Sequence, residues 1–163
     1  MKHAKKYPFT ARRAKRLAFS LHNRSSVSVP RERDFLRWIF AVLNRIGGDA
    51  EIALMLCDEA QARAYNRDFR GKDYATNVLS FELETGDDRL PERLCGDLLM
   101  CPQVVAREAQ EQGKDLAAHY AHLTVHGVLH LAGFDHIEDA DAEEMEKLEI
   151  HVLNQLGYKN PYL

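Results

Sequence analysis

Residues 116–136 read LAAHYAHLTVHGVLHLAGFDH, and this stretch decides the predicted fold. Apolar residues lie on nearly every side of its first part, a pattern that predicts a helix from Asp115 to Ala132 buried at the centre of a domain. Gly133 can adopt a left-handed backbone conformation, so it can end the helix and turn the chain back towards it. The rest of a small fold is then expected to pack around this helix.

The same stretch carries three histidines at the spacing of a metal site. His126 and His130 are four residues apart on a helix, which places both imidazoles on one face, within reach of one ion about 2 Å from each nitrogen. The turn at Gly133 lets His136 complete the group. One histidine on an apolar helix is usually a core residue, but three at these offsets favour metal binding. We predict one zinc ion per chain, preferred over nickel or iron on ligand type and availability.

The spacing His-x-x-x-His-x-x-Gly-x-x-His is shared with metzincin peptidases, so the predicted zinc site is metzincin-like. In those enzymes a glutamate follows the first histidine and acts as general base. Here that position is Gly127. Loss of a general base typically costs about 10² to 10⁴ in rate, so a peptidase is disfavoured.

The remaining sequence predicts strands and helices that intermix without internal repeats, in an α+β (mixed α/β) single domain. A chain of 163 residues fits one core. We therefore predict a small mixed sheet around the central buried helix. Strands are predicted near 17–21, 51–57, 76–81 and 96–100, and a loop over 85–93. Helices are predicted after Ser28 and Pro30 up to Ile46, and over about 58–69, 102–112, 115–132 and 141–156.

The first thirty residues contain eight Lys or Arg and no acid, although the whole chain has a formal net charge of -3. Residues 1–16 are predicted to be a basic, flexible extension, and residues 17–163 the zinc-hydrolase domain. A basic arm can bind polyanions by releasing their counterions. A solubilising tail and an organellar presequence are the alternatives.

Cysteine content and hydropathy bear on location. The three cysteines form no Cys-x-x-Cys pair and are odd in number, so the sequence suggests neither a disulfide framework nor a cysteine zinc knuckle. No apolar run approaches the roughly 18 residues of a membrane-spanning helix. The cytoplasm is the expected compartment, without membrane attachment.

Three segments of the chain carry distinctive motifs: residues 66–81 (NRDFRGKDYATNVLSF), residues 96–98 (GDL) and residues 126–136 (HGVLHLAGFDH). In this order and spacing they resemble three segments of the YbeY family. The last of them is similar to the family's zinc signature, with Phe134 in place of tyrosine. Ala75 and Glu82 stand where the family often has proline. The resemblance extends from about Leu17 to Tyr162.

This resemblance implies a metal-dependent, single-strand-specific endoribonuclease that acts in 16S rRNA 3′ end maturation and ribosome quality control. The expected partners are single-stranded or ribosomal RNA, and small-subunit proteins or an assembly GTPase. Arg70 is a candidate catalytic residue beside His126, His130 and His136, because its charge could stabilise a phosphate. Asp97 and Asp135 are candidates to accept the second N–H of a ligand imidazole. Water and the ribose 2′-hydroxyl both remain open as the nucleophile.

The main alternative is a non-catalytic ribosome-assembly factor with a structural zinc. Structural zinc normally has four protein ligands, whereas catalytic zinc keeps one position open. The number of side chains that converge on the histidines therefore discriminates between these two hypotheses.

Overall fold

The computed structural model describes residues 16–83 and 93–163. Nearly all of the predicted basic extension and of the predicted 85–93 loop lies outside these residues, apart from Arg16 and Arg93. The described elements follow the predicted order, with ends that shift by a few residues. They are β1 (Leu17–Asn23), α1 (Glu32–Ile46), β2 (Asp49–Leu56), α2 (Glu59–Arg70), β3 (Val78–Glu82), β4 (Arg93–Met100), α3 (Pro102–Glu111), α4 (Leu116–Leu131) and α5 (Asp139–Gln155).

The four described strands form one mixed sheet in the order β1-β2-β4-β3. β1 pairs parallel with β2, and β2 pairs parallel with β4. β3 is antiparallel to β4 and lies at the edge of the sheet. The prediction of a small α+β domain with a mixed sheet is confirmed.

The two faces of the sheet carry different helices. Leu98 and Val78 belong to the larger hydrophobic cluster, which also contains the buried residues of α1, α4 and α5. Leu79 and Leu99, one residue further along their strands, belong to a smaller cluster with Ala62 of α2. Because successive strand residues point to opposite faces, α4 and α2 pack on opposite sides of the sheet.

Helix α1 presents a slightly different face from the predicted one. Phe40, expected in the apolar stripe, is 38% exposed, whereas Phe35 and Trp38 are buried. The Phe35 and Trp38 rings meet edge to face at 5.3 Å between centroids. The Trp38 indole N–H donates to the Tyr158 hydroxyl at 3.2 Å, which joins α1 to the segment after α5.

Arg16, predicted to end the extension, is bound to the sheet. Its backbone N–H donates to the Asp49 carboxylate at 2.9 Å, and its carbonyl accepts from the Ala50 N–H at 2.9 Å. The paired structure therefore begins one residue before the predicted boundary. Among the described helices, none has both the length and the apolar character needed to cross a bilayer.

Candidate metal centre

Helix α4 is held close to the sheet at Gly127. A side-chain carbon at that position would lie 2.9 Å from a methyl group of Leu98 and 3.4 Å from the Ser80 hydroxyl oxygen. The same hydroxyl donates to the Gly127 carbonyl at 3.1 Å. Any larger residue at this position would point into β3 and β4, so glycine sets the depth at which the neighbouring His126 sits.

The structure brings the three predicted histidines together. Their donor atoms all lie within 4.8 Å of one another. The chain turns at Gly133, whose φ is 91°, and the Phe134 N–H closes the helix end on the Leu129 carbonyl at 3.0 Å. This turn presents His136, whose side chain is 59% exposed. Within residues 16–83 and 93–163, no fourth His, Cys, Asp or Glu joins the group.

A buried carboxylate on α5 orients the first of these histidines. Nδ1 of His126 lies 2.5 Å from Oε1 of Glu149, and the Glu149 side chain is 1% exposed. The second oxygen, Oε2, is 3.1 Å from Nε2 of His122, and it accepts from the Tyr162 hydroxyl. Burial opposes ionisation of Glu149, but hydrogen bonds from His122 and His126 lower its pKa to about 2. The carboxylate is therefore an acceptor, and Nδ1 of His126 donates to it.

This arrangement fits a bound cation. Because Nδ1 of His126 carries the proton, its Nε2 has a free lone pair, and that atom lies 3.0 Å from Nε2 of His130. Burial, reinforced by the nearby His126 and His136, lowers the pKa of His130 to about 4, so its imidazole is uncharged at neutral pH. The uncharged imidazole is the form that binds a metal ion. The donor set of three imidazoles therefore suits a metal such as zinc.

Arg70 lies on a different layer from the histidines. It is the last residue of α2 and is exposed, just before Gly71, whose φ is 68°. The adjacent Phe69 packs edge to face on Phe81 of β3, with ring centroids 5.1 Å apart. Ser80, next to Phe81, contacts α4, so one edge strand separates Arg70 from the histidine helix. In the described part of the chain, no hydrogen bond or ion pair joins Arg70 to a histidine.

The two aspartates expected to orient imidazoles take other positions. Asp97 is exposed on β4 and makes no hydrogen bond to the described histidines. Asp135 accepts from the His136 backbone N–H at 2.7 Å, and its oxygen is 3.9 Å from Nδ1 of His136. For His126 the acceptor is Glu149 instead.

Glu149 is not among the site residues that the sequence predicts, yet one signal points to it. It occupies the apolar stripe of α5, where its neighbours Met145, Val152 and Leu153 are buried. A carboxylate at a core position needs a hydrogen-bonding partner, because burying an unpaired charge is costly. In the structure the imidazoles of α4 are the partners, but sequence spacing does not show that α5 packs beside α4.

A second histidine–carboxylate pair lies near the start of α4. Nε2 of His119 is 2.8 Å from Oε2 of Glu108, and the Asn77 amide donates to both Glu108 oxygens at 3.1 and 3.0 Å. His119 is 4% exposed. This network ties the start of β3 to α3 and α4, so Asn77 in the 66–81 segment has a structural role.

Fold and site together define a class: a small α+β protein with a three-histidine group that could hold a metal ion. The family model described as Endoribonuclease YbeY matches residues 20–157. The chain belongs to this family of endoribonucleases, which confirms the resemblance noted from the sequence. A protein named Endoribonuclease YbeY from Neisseria gonorrhoeae is 54% identical, over 99% of this chain and 97% of the relative. One of the same name from Chromobacterium violaceum is 51% identical, with the same coverage.

A solved structure supports the fold. The solution structure of TM1509 from Thermotoga maritima matches with a TM-score of 0.56 at 26% sequence identity. The match covers 88% of this chain and 89% of the other. The described helices and strands thus form an architecture that also occurs in an experimentally determined structure.

Proposed function

We propose that this chain is a zinc-dependent endoribonuclease that cleaves single-stranded RNA. Its substrate is the 3′ end of 16S rRNA, in small-subunit maturation and ribosome quality control in the cytoplasm. The observation that carries the proposal is the three-histidine group, which has no fourth donor within the described residues, in a chain of an endoribonuclease family. An open coordination position is typical of catalytic zinc, whereas a structural site is closed.

The proposed metal ligands are His126, His130 and His136, in a metzincin-like arrangement. A bound zinc ion supplies a Lewis acid for a phosphate oxygen and lowers the pKa of a bound water to about 7. Glu149 accepts a hydrogen bond from Nδ1 of His126 and so keeps the proton of that imidazole on Nδ1. The Nε2 lone pair of His126 then faces the site. His136, at the exposed rim, leaves the group accessible to a large substrate.

Two features favour phosphoryl chemistry over peptide hydrolysis. The position of a metzincin base is Gly127, and the sheet fills the space in which a larger side chain would lie. In addition, the end of α2 and the connection to β3 carry two cations, Arg70 and Lys72, and two exposed aromatic side chains, Phe69 at 64% and Tyr74 at 54%. Cations beside exposed rings suit single-stranded RNA, whose phosphates pair with the charges and whose unpaired bases stack.

Substitution of Arg70 tests the proposed reaction. Arg70→Ala is expected to keep its zinc, but its rate of single-stranded RNA cleavage should fall about 10²-fold or more. This is the usual cost of losing one preorganised charge-stabilising group. Arg70→Lys is expected to restore activity only in part, because an ammonium lacks the bidentate fork of a guanidinium. Arg67→Ala is the matched control, since Arg67 is an exposed cation one turn earlier on α2 and is paired with Asp68.

The assay uses repurified protein on matched single-stranded and duplex RNA, with zinc content measured on each sample. Analysis of the product ends distinguishes water from the ribose 2′-hydroxyl, because the second leaves a cyclic phosphate. Equal cleavage by wild type, Arg70→Ala and His130→Ala would show that the activity belongs to a contaminant. That result would favour a non-catalytic assembly factor.

A further inference from the structure

The segment after α5 is anchored across the start of α4. The Lys114 ammonium donates to the Pro161 carbonyl at 2.7 Å. Within the segment, the Tyr162 backbone N–H donates to the Asn160 side chain at 2.9 Å. These two contacts fix the backbone on both sides of the Pro161–Tyr162 bond. The Tyr162 ring then meets His122 of α4 nearly at a right angle, with centroids 5.5 Å apart.

The Tyr162 hydroxyl reaches the carboxylate that orients a proposed metal ligand. It donates to Oε2 of Glu149, the oxygen that also faces Nε2 of His122. The other oxygen, Oε1, faces Nδ1 of His126 at 2.5 Å. The two oxygens thus have separate partners. Tyr162 and His122 occupy one of them, and the second is left for His126.

This separation has a mechanical consequence for the site. A carboxylate that is fully buried can rotate about its last bond unless both oxygens are held. The Tyr162 hydroxyl and the His122 imidazole fix Oε2 of Glu149, so Oε1 stays directed at Nδ1 of His126. The lone pair on Nε2 of His126 is then kept towards His130. We propose that Tyr162 is a positioning residue of the metal centre, acting through Glu149 on His126. This inference rests on the assignment of the three histidines as metal ligands.

A second ion between His122, His126 and Glu149 is the competing explanation, because their donor atoms also lie within 4.8 Å of one another. The contacts favour a hydrogen-bond network. A hydroxyl donor points at Oε2, and Nδ1 of His126 lies within direct hydrogen-bond distance of Oε1. Metal stoichiometry separates the two possibilities, since the network predicts one ion per chain.

The test compares two tyrosines of the same segment. In Tyr162→Phe we expect the zinc dissociation constant to rise about 3- to 10-fold, as measured by competition with a chromophoric chelator. This is less than the 10- to 100-fold typical of residues that hydrogen-bond directly to a metal-binding side chain, because Tyr162 reaches His126 only through Glu149. In Tyr158→Phe we expect no change, because the Tyr158 hydroxyl bonds to Arg37 and Trp38 rather than to the site. The visible spectrum of the cobalt-substituted protein is expected to change only for Tyr162→Phe.

A double-mutant cycle tests whether Tyr162 acts through Glu149. Glu149→Gln is expected to weaken zinc binding about 10- to 100-fold, and Tyr162→Phe should then add little, since its target is altered. Wild-type affinity and spectrum in Tyr162→Phe, equal weakening in both tyrosine variants, or two ions per chain would each overturn this inference alone. A wild-type protein that binds no zinc would overturn the metal site as well. None of these measurements depends on RNA cleavage.

Discussion

Helix α4 carries two histidine–carboxylate pairs of similar chemistry that have different consequences. In the closed pair, His119 and Glu108, the carboxylate is also bound by Asn77, and Nδ1 of His119 is buried without a hydrogen-bond partner in the described residues. In the open pair, His126 and Glu149, the second imidazole nitrogen faces His130. The pairing itself therefore does not make a site. What decides whether the histidine can bind a metal ion is where its other imidazole nitrogen points, the one that does not face the carboxylate.

The strongest test of this comparison removes one histidine from each end of α4. His130→Ala is expected to abolish stoichiometric zinc binding, because each ligand contributes substantially to a three-histidine site. His119→Gln is expected to keep one zinc per chain. Elemental analysis after gel filtration measures both. Undiminished zinc in His130→Ala would contradict the ligand assignment, and loss of zinc in His119→Gln would remove the distinction between the pairs.

The closed pair is expected to contribute to stability rather than to metal binding. Glu108→Gln should lower the free energy of unfolding at neutral pH by about 1 to 3 kcal/mol, since it weakens charge-assisted hydrogen bonds to His119 and Asn77. Zinc content should not change. Denaturant unfolding of both proteins in the metal-free state measures the difference, and equal stability would refute the role.

The stability difference between wild type and Glu108→Gln is also expected to depend on pH. Burial opposes ionisation of Glu108, but hydrogen bonds from His119 and Asn77 leave its pKa below the usual value. A carboxylate whose pKa is lower in the folded state stabilises the fold above its unfolded-state pKa, and this contribution disappears as pH falls through the folded-state pKa. The stability difference between wild type and Glu108→Gln should therefore shrink below about pH 4. A constant difference from pH 7 to pH 3 would contradict this.

The basic extension, residues 1–16, supplies no member of either histidine–carboxylate pair. Its removal should therefore change neither the zinc content nor the stability. Deletion of residues 1–15 spares Arg16, whose backbone is bonded to β2, and removes six Lys or Arg. We expect unchanged zinc content and melting temperature but weaker RNA binding at low salt. The slope of log affinity against log salt should fall by about 0.7 per lost phosphate contact. An unchanged slope would show that the arm does not bind RNA.

The histidine spacing predicted much of the site because helix geometry is local. His126 and His130 are neighbours on any α-helix, and a glycine three residues later is a common way to end one. The strands and helices were similarly predictable from periodicity. The strand order β1-β2-β4-β3 and the antiparallel direction of β3 were not, because they depend on which elements pack together.

The roles of Glu149 and Tyr162 could not be predicted from local sequence patterns. Glu149 meets His126 across 23 residues, and Tyr162 meets Glu149 from the segment after α5. Both contacts exist because α5 packs beside α4, and no spacing rule specifies that packing. Arg70 is the reverse case. The sequence proposes it for the site, whereas α2 and α4 lie on opposite faces of the sheet, so its role depends on how RNA passes the edge strand β3.

The single tryptophan gives the protein an internal optical reporter. Trp38 is buried against Phe35, and its indole N–H is bonded to Tyr158. Indole fluorescence depends on polarity, so the folded protein should emit at short wavelength and shift to longer wavelength when water reaches the ring. Because the indole joins α1 to the segment after α5, detachment of that segment alone should also change the emission, without any added label.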